Sequence, residues 1–170
     1  MSTKVILPQW DELLTDGMLI YAVASDDAGV YGKGWVMVRT RKLTPKAICE
    51  AMQTGHFYAS NGVLLKKLEM TSSKIEIEID KNATEAELAK GSAGGRGAPK
   101  ESKIGERIDF IGRGGKVLSS VYGYQASYTI GGNGESEYVR ARAVVTRHVA
   151  GQLVEFCAWS QPVFTSGNSE

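Results

Sequence analysis

Hydrophobic positions change their spacing twice along the chain. Residues 18–25, "MLIYAVAS", form a continuous apolar run, the pattern of a strand buried on both faces in a parallel sheet. "WDELL" ahead of it fits a short helical turn, and "GWVMVR" after it predicts a second short strand. The spacing then becomes helical. In "LTPKAICEAMQTGHFYAS", Thr44 suits the N-cap and Pro45 the first helical position, where its missing N–H costs nothing. Ala47, Ile48, Ala51 and Met52 make one apolar stripe, and Gly55 suits a left-handed C-terminal cap. The spacing predicts a helix over 45–54.

From Gly62 onward the period is 2. "KIEIEID" sets Ile75, Ile77 and Ile79 on one face, with Glu76, Glu78 and Asp80 on the other. "RIDFIG" pairs Ile108 with Phe110. "VYGYQASYTI" aligns Tyr122, Tyr124, Ala126, Tyr128 and Ile130 as one strand, and "YVRARAVV" aligns Val139, Ala141, Ala143 and Val145. "LVEFCAWSQPVF" places Val154, Phe156 and Ala158 together. The turn signals "GRGGK", "GGNGES" and "HVAGQ" separate these runs, as in an antiparallel sandwich. The pattern predicts an α+β fold: a short β/α segment over 1–61 with one clear helix, then an antiparallel β-sandwich over 62–166. Residues 90–103, "KGSAGGRGAPKESK", are small, polar and basic, and predict a mobile loop.

Composition changes this picture little. The 170 residues carry a net charge of +1, which gives no electrostatic reason to expect nucleic acid or an anionic membrane. No apolar run reaches the roughly 18 residues of a bilayer span, and "MSTKVILPQWDELL" does not read as a signal peptide. The two cysteines, Cys49 and Cys157, share no metal-ligand spacing with each other or with His56 and His148. They predict two buried reduced thiols, consistent with a cytoplasmic location.

Asp26 and Asp27, adjacent carboxylates at the end of the apolar run, are the best local candidates for metal or acid–base chemistry. No neighbouring His or carboxylate completes a ligand set, so the local reading favours an acidic turn in which an Asp side chain caps the backbone. "GRGGK", Gly112 to Lys116, lacks the spacing and the Ser/Thr of a phosphate loop and reads as a hairpin turn. His56 follows the helix-ending glycine and reads as a packed or solvent-facing side chain before a ligand. Tyr122, Tyr124 and Tyr128 share a strand face, as core residues or as a carbohydrate-stacking row. Arg140 and Arg142 read as the wet face of a strand.

"VASDDAGVYGKGWVMVRTRKLTPKAICEAMQTGHFYASNGVLLKKLEM" resembles the closing part of PHP-domain (polymerase and histidinol phosphatase) metallohydrolases, most closely the carbaryl-hydrolase-like group. Those proteins carry a D-D-A-H box, a G-R/K-G-W-V-M-V strand, an L-T-P-x-A-I helix and G-x-F-Y-A-S-T-G. "IDFIGRGGKVL", "YVRARA" and "AWSQPVF" resemble the β-rich tail of the same group, so the likeness runs from about Trp10 to Phe164.

The resemblance implies a metal-dependent phosphoesterase ancestry. In complete members divalent zinc, manganese or iron, held at many barrel strand ends, activates water. By position Asp27 matches the aspartate of the final Asp-x-His metal motif, while Gly29 stands where the family has histidine. The chain also has no H-x-H motif and none of the intermediate His and Glu ligands. The resemblance therefore implies a module lacking most of the barrel, non-catalytic alone, with Asp27 as a vestigial ligand position and no cofactor of its own. It further implies exposed barrel-edge surface near "MLIYAVAS" and a homo-oligomer that covers it. Two other readings stay open: a metal site of Asp26, Asp27 and His56 completed by another chain, and a ligand-binding sandwich.

Overall fold

Thr44 and Asp80 each turn a strand or loop into a helix by the same device. Thr44 Oγ1 accepts the Ala47 N–H, and Asp80 Oδ1 accepts the Ala83 N–H, satisfying donors that an isolated helix end leaves open. In the computed structural model, which describes residues 7–26, 29, 31–131 and 137–165, the first cap opens α2 (Pro45–Gln53) and the second opens α3 (Lys81–Ala89). A third helix, α1 (Leu7–Thr15), contains the "WDELL" turn. The α2 boundaries match the sequence expectation to one residue. Helix α3 was not expected, because its apolar stripe is weak: only Thr84 among its residues is buried.

The chain is α+β with antiparallel sheets. Strands β1 (Trp35–Val38) and β2 (Phe57–Ser60) flank α2 and pair with each other. Strands β3 (Leu65–Met70) and β4 (Lys74–Ile79) form a hairpin, and β5 (Arg96–Gly97) lies in the glycine-rich segment. After it come β6 (Gly105–Ile111), β7 (Val117–Tyr122), β8 (Gln125–Thr129), β9 (Tyr138–Val149), β10 (Gln152–Ser160) and β11 (Val163–Phe164). The larger sheet runs β1-β2-β10-β9-β6-β7, with β5 against β10 and β11 against β9; the smaller runs β3-β4-β8. Strands from both sides of residue 61 thus share one sheet.

The alternating isoleucines explain why the sheets stack. Ile75, Ile77 and Ile79 from the smaller sheet meet Ile108, Phe110, Val139, Ala141, Ala143 and Val145 from the larger in one buried cluster. Phe110 stacks on Tyr128 across the sheets, with ring centroids 5.1 Å apart.

Four expectations are corrected. "MLIYAVAS" forms no strand: residues 18–26 join no ladder, and every ladder among the described residues is antiparallel. "VYGYQASYTI" is not one strand, because Gly123, at φ +128, lets the chain leave β7 in the larger sheet and enter β8 in the smaller. Arg140 is buried and Arg142 half-buried, because the outer face of the larger sheet is covered by salt-bridged side chains rather than by water. Cys157 is buried as expected, but Cys49 is exposed.

The segment 90–103 has defined partners. Asn61 Nδ2 donates to Gly94 O at 3.0 Å, Ala98 N donates to Leu153 O at 2.8 Å, and Ser102 Oγ donates to Glu155 Oε1 at 2.8 Å. A side chain at Gly94 would come within 2.1 Å of the Lys33 carbonyl oxygen, so the small residues here also serve close packing.

Candidate functional site

The run that follows α1 leaves several apolar side chains open to solvent. Gly17, at φ +80, turns the chain out of the helix, and residues 18–26 then proceed without helix, turn or bend. Leu19 is 58% exposed and Val23 61% exposed, and Met18 and Ile20 are also open to solvent. The inner side of the run is held by side chains instead of a neighbouring strand. Trp10 Nε1 donates to Ile20 O at 2.8 Å. Gln161 Oε1 accepts the Ala22 N–H and Gln161 Nε2 donates to Ala22 O, both at 2.9 Å. Tyr21 turns inward, edge-on to Phe57 and above Gly55.

Helix α1, which launches this run, is anchored by a charged cluster that sequence reasoning missed. Arg140 Nε and Nη2 bind the two Asp11 oxygens at 2.8 and 2.7 Å, and Tyr138 OH donates to Asp11 Oδ1 at 2.7 Å. The guanidinium lies 4.7 Å from the centre of a Trp10 ring. Burial, reinforced by the Asp11 carboxylate, pushes the Tyr138 phenol up to about 12, so it remains a donor. The "GRGGK" turn, which joins β6 to β7 as expected of a hairpin, abuts the same helix: Gly114 N donates to Thr15 Oγ1 at 2.8 Å.

At the far end of the run, Asp26 acts as a cap. Its Oδ2 accepts the Gly32 N–H at 2.7 Å, and its Oδ1 accepts the N–H groups of Lys33 and Gly34 at 2.6 and 2.8 Å. These three amides, led by Gly34, hold its carboxyl below the usual aspartate range. Both oxygens are engaged with backbone, which is the acidic-turn arrangement and a poor one for a cation ligand. Asp27 lies outside the described residues. Gly29 adopts φ +77, a left-handed conformation that disfavours any other side chain there.

The remaining candidates do not converge. His56 is exposed, its Nδ1 2.8 Å from Thr54 Oγ1. His148 is exposed at the end of β9. Tyr122 is 67% exposed, whereas Tyr124 and Tyr128 pack on the core, so the three do not form one stacking row. Among the described residues no three His, Cys, Asp or Glu side chains are grouped to hold a metal, and no helix is long and apolar enough to cross a membrane.

Arg140 and Arg142 alternate with core alanines in "YVRARAVV", a pattern that fixes the face the arginines share but not what covers it. What the pattern cannot name is the partner, since Asp11 is 129 positions away. Comparison with models of known protein families, with curated proteins and with solved structures found no match.

Proposed function

We propose that this chain is an assembly module derived from the C-terminal part of a PHP-type metal-dependent phosphoesterase, without catalysis of its own. A second copy of the chain covers its open run at residues 18–25. The observation that carries this reading is the combination of apolar sequence, solvent exposure and missing strand partner in that run. The resemblance of the same residues to a barrel strand gives the exposure a cause, since such a strand is built to be flanked. Asp26, the neighbour of the ligand position that the resemblance gives to Asp27, is engaged by three backbone amides and is no substitute ligand.

Light scattering across a concentration series tests the assembly. The protein self-associates, and Leu19→Glu with Val23→Glu returns it to monomer. A monomer at the highest attainable concentration sinks the proposal. The catalytic part is tested by elemental analysis and phosphodiester turnover of the purified chain. Stoichiometric zinc, manganese or iron with turnover would establish a working site and defeat the non-catalytic reading.

A further inference from the structure

A second feature stands on different residues and does not depend on the PHP reading. An open groove of 1020 Å³ runs between the end of β1 with α2 on one side and β3 on the other. All six residues from Leu65 to Met70 border it, including those of both faces of β3. A groove lined by successive residues of a strand follows that strand's edge. Strand β3 is the terminal strand of its sheet, so alternate backbone N–H and C=O groups along it face away from β4.

The chemistry of the walls narrows what such an edge accepts. Arg39, Arg41 and Lys42 line one side, are exposed, and have no carboxylate partner among the described residues. Lys66 and Lys67 line the other side and are paired to Glu78 and to Glu76 and Glu69. Glu50, the other carboxylate of the walls, is paired to Lys46, so among the described residues the unpaired charge is that of Arg39, Arg41 and Lys42. Between them Met37, Leu68 and Met70 supply apolar surface. Because the register shifts between Leu65 and Lys67 and the Leu65 N–H is taken by Tyr58 OH, the pairing stretch is Lys67–Met70. The edge lysines discourage pairing with basic strands. A strand bearing carboxylates is drawn in by the same charges. Phe57 and Tyr58, the aromatic residues of the groove, are buried, so no stacking platform for nucleic-acid bases exists there.

We infer that this groove binds an acidic peptide segment in extended form, which adds to the free edge of β3 as a further strand. Its carboxylates meet Arg39, Arg41 and Lys42, and its alternate apolar side chains lie on Met37, Leu68 and Met70.

The test uses the full chain and a fluorescent octapeptide alternating glutamate and valine, with fluorescence anisotropy as readout. Binding is saturable and weakens with salt. Arg39→Glu with Arg41→Glu, both at exposed positions, weakens it by about tenfold or more without altering the circular dichroism spectrum. Methylating alternate peptide nitrogens abolishes it, because the side chains are kept while the ladder donors are lost. The proposal is overturned by absence of saturable binding, by an equally tight lysine–valine peptide, or by indifference to N-methylation or to the charge reversals. Tighter binding of single-stranded oligothymidylate would also overturn it, in favour of a phosphate-binding surface.

Discussion

Cys157 and Cys49 share a side chain but differ in environment. Burial in β10 pushes the Cys157 thiol up to about 12, leaving almost no thiolate at neutral pH, while Cys49 is exposed on α2. Iodoacetamide under native conditions should therefore modify Cys49 alone, and both cysteines only after denaturation, as mass spectrometry would show. Asp109 is the second informative residue. Burial opposes its ionisation, but hydrogen bonds from Arg142, Ser120 and Arg107 outweigh burial and hold its carboxyl below the ordinary value of 3.8. A depressed folded-state value stabilises the fold above the unfolded value and loses that contribution as pH falls through the folded one. Asp109→Asn should accordingly cost stability at neutral pH, with the difference from wild type shrinking below about pH 4 in denaturation series. Asp11 and Arg140 form an ion pair that is buried on both sides. Removing either one alone should cost about 3–5 kcal/mol, and replacing both with apolar residues much less, in a double-mutant cycle. Within β4 and β9 alternation told which residues share a face, though across Gly123 it did not. It was silent on whether that face is wet, because the covering partners come from distant segments.

Elements were legible where local signals agreed with tertiary ones. Helix α2 was readable because Thr44, Pro45, the apolar stripe and Gly55 all point the same way. The isoleucine strand β4 was readable because one face is core and the other carries the carboxylates paired to Lys66, Lys67 and Lys74. Helix α3 was hidden because Asp80 looked like the next outward residue of that strand, when it is the cap that ends it. The apolar run at 18–25 misled for the opposite reason: its composition demands burial, and the described residues provide only one covered side. Gly55 links α2 to that run. It sits at φ +73, and a methyl group there would lie 2.7 Å from the Tyr21 ring. Gly55→Ala should destabilise the protein by more than about 1 kcal/mol. It should also speed exchange of the Ala22 amide, which Gln161 holds, ahead of the β-sandwich amides, as hydrogen-exchange measurements would resolve.

For the molecule as a whole, the sequence suggested a seam near residue 61, and the sheet runs across it: β2 pairs with β10 at Ala158, Trp159 and Ser160. The three tryptophans, Trp10, Trp35 and Trp159, report from α1, β1 and β10. Their fluorescence and the far-ultraviolet circular dichroism should trace one coincident urea transition; separated midpoints would show that the N-terminal segment melts by itself. The bond between Gln161 and Ala22 also has a geometric corollary for assembly. That amide occupies both backbone groups of Ala22, and in an extended chain the groups of successive residues point to opposite sides. If the proposed second copy pairs with this run, Ala22 is closed to it unless Gln161 lets go, and the ladder would have to use residues such as Tyr21 and Val23. A single side chain in the loop after β10 would then set the phase of the proposed pairing.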